Sequence, residues 1–238
     1  MGIRLAGRKV FLTGPAGNLG PVWMKLLSEQ GATVHGFGLP NYDLTNQADR
    51  ERAVGQFWDS AGAPDILLHN AAVDNPPGSK ATFFGNVKDI LAVNLEAAVH
   101  LTELWLPRME SAYNFDFQEQ PRNIVFIGSM LGVVASNTGL YPPGFDKPLA
   151  YGATKAALWN FCKNLNVRYA KKGIVSNMLS LSAVEGGQDK AFREKYTDRI
   201  PIRRMLQKED FALEFLTVCS SRVPYGNQLL VCGGYTIW

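Results

Sequence analysis

Tyr151-Gly152-Ala153-Thr154-Lys155 sets a phenol and an ammonium at positions i and i+4, which share one face of a helix. A free phenol titrates near ~10 and is a poor base at neutral pH. An ammonium beside it favours phenolate and lowers that value. Tyr151 could then give a proton to a carbonyl oxygen, or take one from an alcohol, while a hydride passes to or from a nicotinamide ring. Alone the pattern is common, and a packed tyrosine beside a solvated lysine is its ordinary reading. Three further features shift the balance. Ser129 follows the apolar run NIVFIG and would stand at the carboxyl end of a strand, where open α/β sheets hold their ligands. Its hydroxyl could hydrogen-bond a substrate oxygen. Asn70-Ala71-Ala72 follows DILLH at the equivalent edge, and Asn94 is a polar residue inside the apolar stretch LAVNLEAAV. The ordinary reading of Asn94 is a satisfied core amide.

Such residues need a frame. The run KVFLT at 9–13 predicts a strand, a glycine-rich turn follows, and apolar periodicity over 19–30 predicts a helix. The turn reads Thr13-Gly14-Pro15-Ala16-Gly17-Asn18-Leu19-Gly20. A helix start offers unpaired N–H groups and a positive dipole to an anionic pyrophosphate, and glycines let the phosphates approach. Further strands are predicted at 33–37, 65–69, 123–128, 173–179 and 228–232. Helices are predicted at 47–60, 87–109, 150–171 and 211–220. Most strands are continuous apolar runs alternating with helices, the pattern of a parallel sheet covered on both faces. The expected fold is therefore α/β, a Rossmann-type doubly wound parallel sheet in a single domain over 1–238. The Pro/Gly-rich stretches 75–78 and 141–148 read as loops.

The chain has 238 residues, 46% hydrophobic and 19% charged, with a net charge of +3. One domain with a full core fits that length. Lys and Arg are dispersed, so a nucleic-acid partner is not expected. Three cysteines, Cys162, Cys219 and Cys232, lie far apart and outside metal-ligand spacing, which suits a reducing compartment and no metal site. No apolar run reaches membrane-spanning length, and the residues before Gly14 are too few and too charged for a signal peptide. A cytoplasmic protein without a membrane partner is the expectation.

Taken in order, the TGxxGxxG turn, Asp43-Leu44-Thr45, Asn70-Ala71-Ala72, Asn94, Ser129, Tyr151/Lys155 and Gly233-Gly234 make the chain resemble the short-chain dehydrogenase/reductase family from about residue 5 to 238. The resemblance implies NAD(P) as cofactor, a small-molecule substrate and a homodimer or homotetramer. It implies that Tyr151 is the acid/base, that Lys155 holds the nicotinamide ribose and tunes Tyr151, that Ser129 orients the substrate, and that Asn94 keeps a water in a proton relay. Gly14, Gly17, Asn18, Leu19 and Gly20 would hold the pyrophosphate. Asp43 and Leu44 would touch the adenine, Asn70, Ala71 and Ala72 would line the cofactor, and the Val184 backbone would meet the carboxamide.

The chain also departs from the family pattern. Leu181-Ser182 replaces the usual Pro-Gly, which leaves the path of that loop open. Only residues 38–42 separate Phe37 from Asp43, too few for a crossover between parallel strands, which needs about a dozen. A helix and part of a strand must be missing there, with an open adenosine pocket as the result. Gly38 stands where NAD enzymes carry a ribose-binding carboxylate. Nothing there repels a 2′-phosphate, so the expectation tilts to NADP.

Residues 130–150 make the gap between Ser129 and Tyr151 long. The inserted LYPPGFDKPLA, the segment 72–78 and the segment 185–203 should shape the substrate pocket, with Asp74, Met130, Tyr141 and Glu185 as candidate substrate residues. These loops resemble a bacterial branch of the family linked to nonulosonic-acid and flagellin-glycosylation sugars, which implies a sugar or nucleotide-sugar substrate. Two other readings stay open: an epimerase or dehydratase on the same fold with no net cofactor turnover, and a non-catalytic nucleotide-binding protein.

Overall fold

The computed structural model describes residues 5–74, 86–111, 120–143, 145 and 147–237. Six parallel strands form one sheet in the order β2-β1-β3-β4-β5-β6. They are β1 (Lys9–Thr13), β2 (Thr33–Phe37), β3 (Ile66–His69), β4 (Arg122–Ser129), β5 (Ile174–Leu181) and β6 (Leu229–Val231). Side chains alternate across each strand and sort the core into two layers. Phe11, Leu67, Ile124 and Phe126 pack on one face with Phe57, Leu101, Trp105 and Leu158. Those partners come from α2 (Gln47–Ala61), α4 (Ala97–Ser111) and α5 (Leu149–Tyr169). Val10, Leu12, Leu68 and Val125 pack on the other face with Trp23, Leu27 and Phe215. These come from α1 (Gly20–Glu29) and α7 (Ala212–Cys219). Burial on both faces of β1, β3, β4 and β5 explains why those strands read as continuous apolar runs.

The chain runs from β1 outward to β2 and then back past β1 to β3. Strand order therefore reverses between β1 and β3, and the crevice at their carboxyl ends is where such sheets bind ligands. Strand β2 is the edge. No strand lies between it and α2, so the short 38–42 link is a direct exit from the sheet edge. Strand β5 runs on to Leu181, which pairs with Ser129 on one side and Val231 on the other. Ser182 N then donates to Val231 O at 3.1 Å. The Leu181-Ser182 replacement thus extends the strand rather than opening a loop.

Two elements differ from the sequence-based expectation. The region 87–109 is α3 (Val87–Leu91), a π-helical turn (Ala92–Glu96) and α4, not one continuous helix. A π turn holds one extra residue, and here it carries the buried Asn94. The segment 185–203 contains a helix, α6 (Lys190–Arg199), which is mostly polar, fully buries only Tyr196 and half-buries Phe192. Apolar periodicity could not show it. Its start was visible in principle, because Asp189 Oδ1 accepts from Phe192 N at 2.8 Å as a side-chain cap. Residues 75–78 and 238 lie outside the described residues.

Candidate active site

The turn after β1 forms because Gly14 has φ +67 and comes close to β3: a Cβ there would lie 2.9 Å from Ala71 Cα. Asn70 locks the approach. Its Nδ2 donates to Thr13 O and Gly14 O at 3.0 and 2.9 Å, and its Oδ1 accepts from Trp23 Nε1 at 2.8 Å. Every polar atom of that amide is spent on the turn, so Asn70 shapes the crevice from behind. A Cβ at Gly20 would lie 2.3 Å from Pro15 O, so only glycine lets α1 start tight under the turn. No side chain caps the α1 N-terminus. The positive end of its dipole lies beside a cleft of about 640 Å³ lined by Gly14, Gly17, Asn18 and Leu19. Gly20 lies beneath it and is not among the lining residues.

Asp43 and Leu44 line the same cleft at its β2 side, and Asn70, Ala71 and Ala72 at its β3 side. The Asp43 carboxylate accepts from Thr45 N and Thr45 Oγ1 at 2.9 and 2.8 Å, a local turn that leads into α2. Gly38 is where a ribose-binding carboxylate would stand, yet a Cβ there would already meet Pro15 Cδ at 3.2 Å and Gly14 Cα at 3.3 Å. Val184 is buried at the far end, bridged to Leu206. These features fit a dinucleotide: an uncapped helix start, close backbone approach and a cleft along the switch point. When bound, NAD(P) supplies the hydride acceptor or donor.

At the inner end of the cleft stand Ser129, Tyr151 and Lys155. Ser129 is the last residue of β4 and lines the cleft beside Tyr151, whose charged form its hydroxyl favours. It also accepts from Leu131 N at 3.2 Å, which turns the chain into the short 3-10 helix Met130–Gly132. That turn packs on the first turns of α5, and a Cβ at Gly152 would lie 2.6 Å from Leu131 O. Close backbone contact therefore sets Ser129 against Tyr151. Lys155 Nζ donates to Ile127 O at 2.9 Å and lies 5.7 Å from the Tyr151 ring centroid.

The electrostatics differ from the simple pairing expected of Tyr151 and Lys155. Burial pushes the Tyr151 phenol above its usual value, and the Ser129 hydrogen bond opposes that shift. Burial pushes Lys155 down to about 8. Desolvation dominates both shifts, and a phenol raised above its usual value is neutral at neutral pH.

Asn94 is not brought to the cleft. Its Oδ1 accepts from Val73 N at 2.7 Å and its Nδ2 donates to Val73 O at 3.0 Å. That is the satisfied core amide, tying α3 and α4 to the chain after β3.

A second cavity of about 480 Å³ adjoins the first, and Ser129, Tyr151, Ser182 and Asp74 line both. Met130 and Tyr141 line the second cavity. Glu185 lines neither; its carboxylate engages Arg193 at 3.4 Å and Gln207. The segments expected to shape the pocket also bring Lys147, Phe192 and Tyr196 to it, residues that no sequence signal singled out. Lys147 forms an ion pair with Asp74, and its Nζ lies 4.9 Å from the Tyr151 ring centroid. It precedes the helix, whose N-cap is Pro148, so no helical spacing linked it to Tyr151.

The sequence model of the family described as short chain dehydrogenase matches residues 5–197. The chain belongs to the short-chain dehydrogenase family. With membership come the oxidoreductase class and the NAD(P)-binding Rossmann fold. This family member is 33% identical over 202 residues to dehydrogenase/reductase SDR family member 4 of Sus scrofa, a match covering 78% of the chain and 64% of that relative's length. Its fold is shared with a short-chain dehydrogenase of Leptospira borgpetersenii solved with bound NAD+, at TM-score 0.83 and 22% identity over 98% of this chain and 94% of that one. It is shared too with a gluconate 5-dehydrogenase of Burkholderia cenocepacia in complex with NADP and tartrate, at TM-score 0.78 and 20% identity over 99% and 98%. Neither nicotinamide cofactor is favoured by these likenesses. Among the described residues no helix is long and apolar enough to cross a membrane, and no cluster of His, Cys, Asp or Glu could hold a metal.

Proposed function

We propose that this short-chain dehydrogenase transfers hydride between a nicotinamide cofactor and a secondary alcohol or ketone on a polar, sugar-like substrate. One observation carries the reading: Ser129 and Tyr151 both stand where the two cavities meet. A substrate oxygen held there receives the Ser129 hydroxyl and the Tyr151 phenol together. Tyr151 moves the proton at that oxygen. Lys155, anchored on Ile127 O, lies on the cofactor side and supplies a cation to the phenol's surroundings. Asn94 acts as a positioning residue through Val73.

Of the two cofactors we propose a modest preference for NADP. Position 38 carries no carboxylate to repel a 2′-phosphate, and Pro15 and Gly14 leave little room for one. The test of the reaction is absorbance at the nicotinamide band with a panel of secondary alcohols and ketones. Net turnover that disappears in Tyr151→Phe is the expected result. Substrate conversion without net cofactor change would favour an epimerase or dehydratase instead.

A further inference from the structure

The second cavity carries two features that the hydride-transfer reading does not use. One is a run of aromatic rings. Tyr141 and Phe192 lie with centroids 5.5 Å apart, Phe192 and Tyr196 5.8 Å, and Tyr196 and Tyr235 5.4 Å, the last two pairs stacked. The other is the Lys147–Asp74 ion pair, whose side chains are only 17% and 28% exposed. Removing both charges from water is costly, and apolar residues of like size often serve stability as well. The pair therefore calls for a reason other than folding.

Its place supplies one. Lys147 Nζ lies 4.9 Å from the centroid of the Tyr151 ring, so it stands beside the phenol that would hold the reacting oxygen. A hydroxyl on a carbon next to the reacting one would then extend toward the pair in the same cavity. A hydroxyl both donates and accepts, and the pair presents an acceptor-only carboxylate next to a donor-only ammonium. Aromatic faces suit the C–H faces of a ring that carries such hydroxyls. Charge balance narrows the class further. Among the described residues lining this cavity the charged ones are Asp74, Lys147 and Asp189. Asp189 is committed to capping α6, and Lys147 is already matched by Asp74. Among these residues a phosphate or carboxylate would meet no surplus cation, and desolvating it would be uncompensated.

Resting on the hydride-transfer reading, we infer that Lys147 and Asp74 determine specificity by bracketing a hydroxyl adjacent to the reacting carbon of an uncharged, polyhydroxylated ring substrate. Sugar acids and nucleotide-sugars are disfavoured.

The test compares three probes: cyclohexane-1,2-diol, cyclohexanol and 2-hydroxycyclohexane-1-carboxylate, each as hydride donor to NAD(P)+. Wild type prefers the diol over cyclohexanol by about tenfold or more in kcat/KM, the worth of a hydrogen bond to a charged partner, and disfavours the carboxylate. In Asp74→Asn and Lys147→Met the ratio of diol to cyclohexanol falls toward one. The double variant Lys147→Met/Asp74→Leu, which leaves no lone charge, guards against misfolding and loses the same preference. A ratio unchanged in the variants, or a carboxylate preferred by wild type, overturns the inference. If no probe reduces cofactor, the hydride-transfer reading is what has failed for these rings. Ligand-observed NMR binding of the same probes to wild type and variants then decides separately. Diol binding that depends on the pair upholds the inference, and absent or pair-independent binding overturns it.

Discussion

Tyr151 is held by three neighbours with different work. Ser129 lines both cavities with it and favours its charged form, Lys155 stands 5.7 Å from its ring centroid, and Lys147 stands 4.9 Å from that centroid on the other cavity. Tyr151→Phe removes only the hydroxyl and keeps the ring that packs there. Turnover is expected to fall by roughly 10²–10⁴-fold, with NAD(P)H affinity nearly unchanged in a fluorescence titration; near-full activity would refute the acid/base assignment. Lys155 gives a stability prediction of definite sign. Its pKa falls to about 8 in the fold, below ~10.4 in the unfolded chain. Between those values the unfolded chain binds the extra proton, so this group's destabilising effect is full below about pH 8 and fades as pH rises. Urea unfolding of wild type and Lys155→Met should show their stability difference moving in favour of wild type from about pH 8 to about pH 10. A difference that stays level over that range contradicts the assignment. At this scale the sequence was readable wherever spacing within one element carried the signal, as with Tyr151 and Lys155. It was not readable for Lys147, whose contact with Asp74 joins two loops distant in the chain.

Elements place these side chains through close backbone contact more than through side-chain packing. The 3-10 turn after Ser129 and the start of α5 touch at Gly152, where a Cβ would lie 2.6 Å from Leu131 O. Gly152→Ala must move one of them, with a stability loss of about 1–3 kcal/mol and a lowered kcat. Gly55 in α2 is the control. A Cβ there meets nothing within 4 Å, so Gly55→Ala should stabilise by about 0.5–1 kcal/mol with activity unchanged. Thermal unfolding and kcat measured on both variants decide; equal effects would mean the Gly152 contact does not set the site. The strands of the sheet were legible because burial on both faces writes apolar runs into the sequence. The π turn at Asn94 was not, since its extra residue keeps an apolar periodicity close to that of an α-helix. Helix α6 was hidden because its one buried residue, Tyr196, leaves no stripe to read.

Across the whole molecule, strand order assembles the site. Reversal between β1 and β3 opens the crevice for a dinucleotide, and β4 and α5 deliver Ser129 and Tyr151 to its inner end. The short link after β2 was countable in the sequence. Its consequence, an edge strand at β2, follows from long-range pairing that no local pattern encodes. The same frame explains why the cleft tolerates so short an adenosine segment: Asn70, Trp23 and Thr13 brace the turn from beneath and do not depend on it. This crevice is built to bind a nicotinamide dinucleotide. Fluorescence titration of the purified chain with NADPH and with NADH, side by side with Gly20→Val, tests it directly. Saturable binding, tighter for NADPH and lost in Gly20→Val, is predicted. Absence of saturable binding for either nucleotide, or equal binding by the variant, would contradict it.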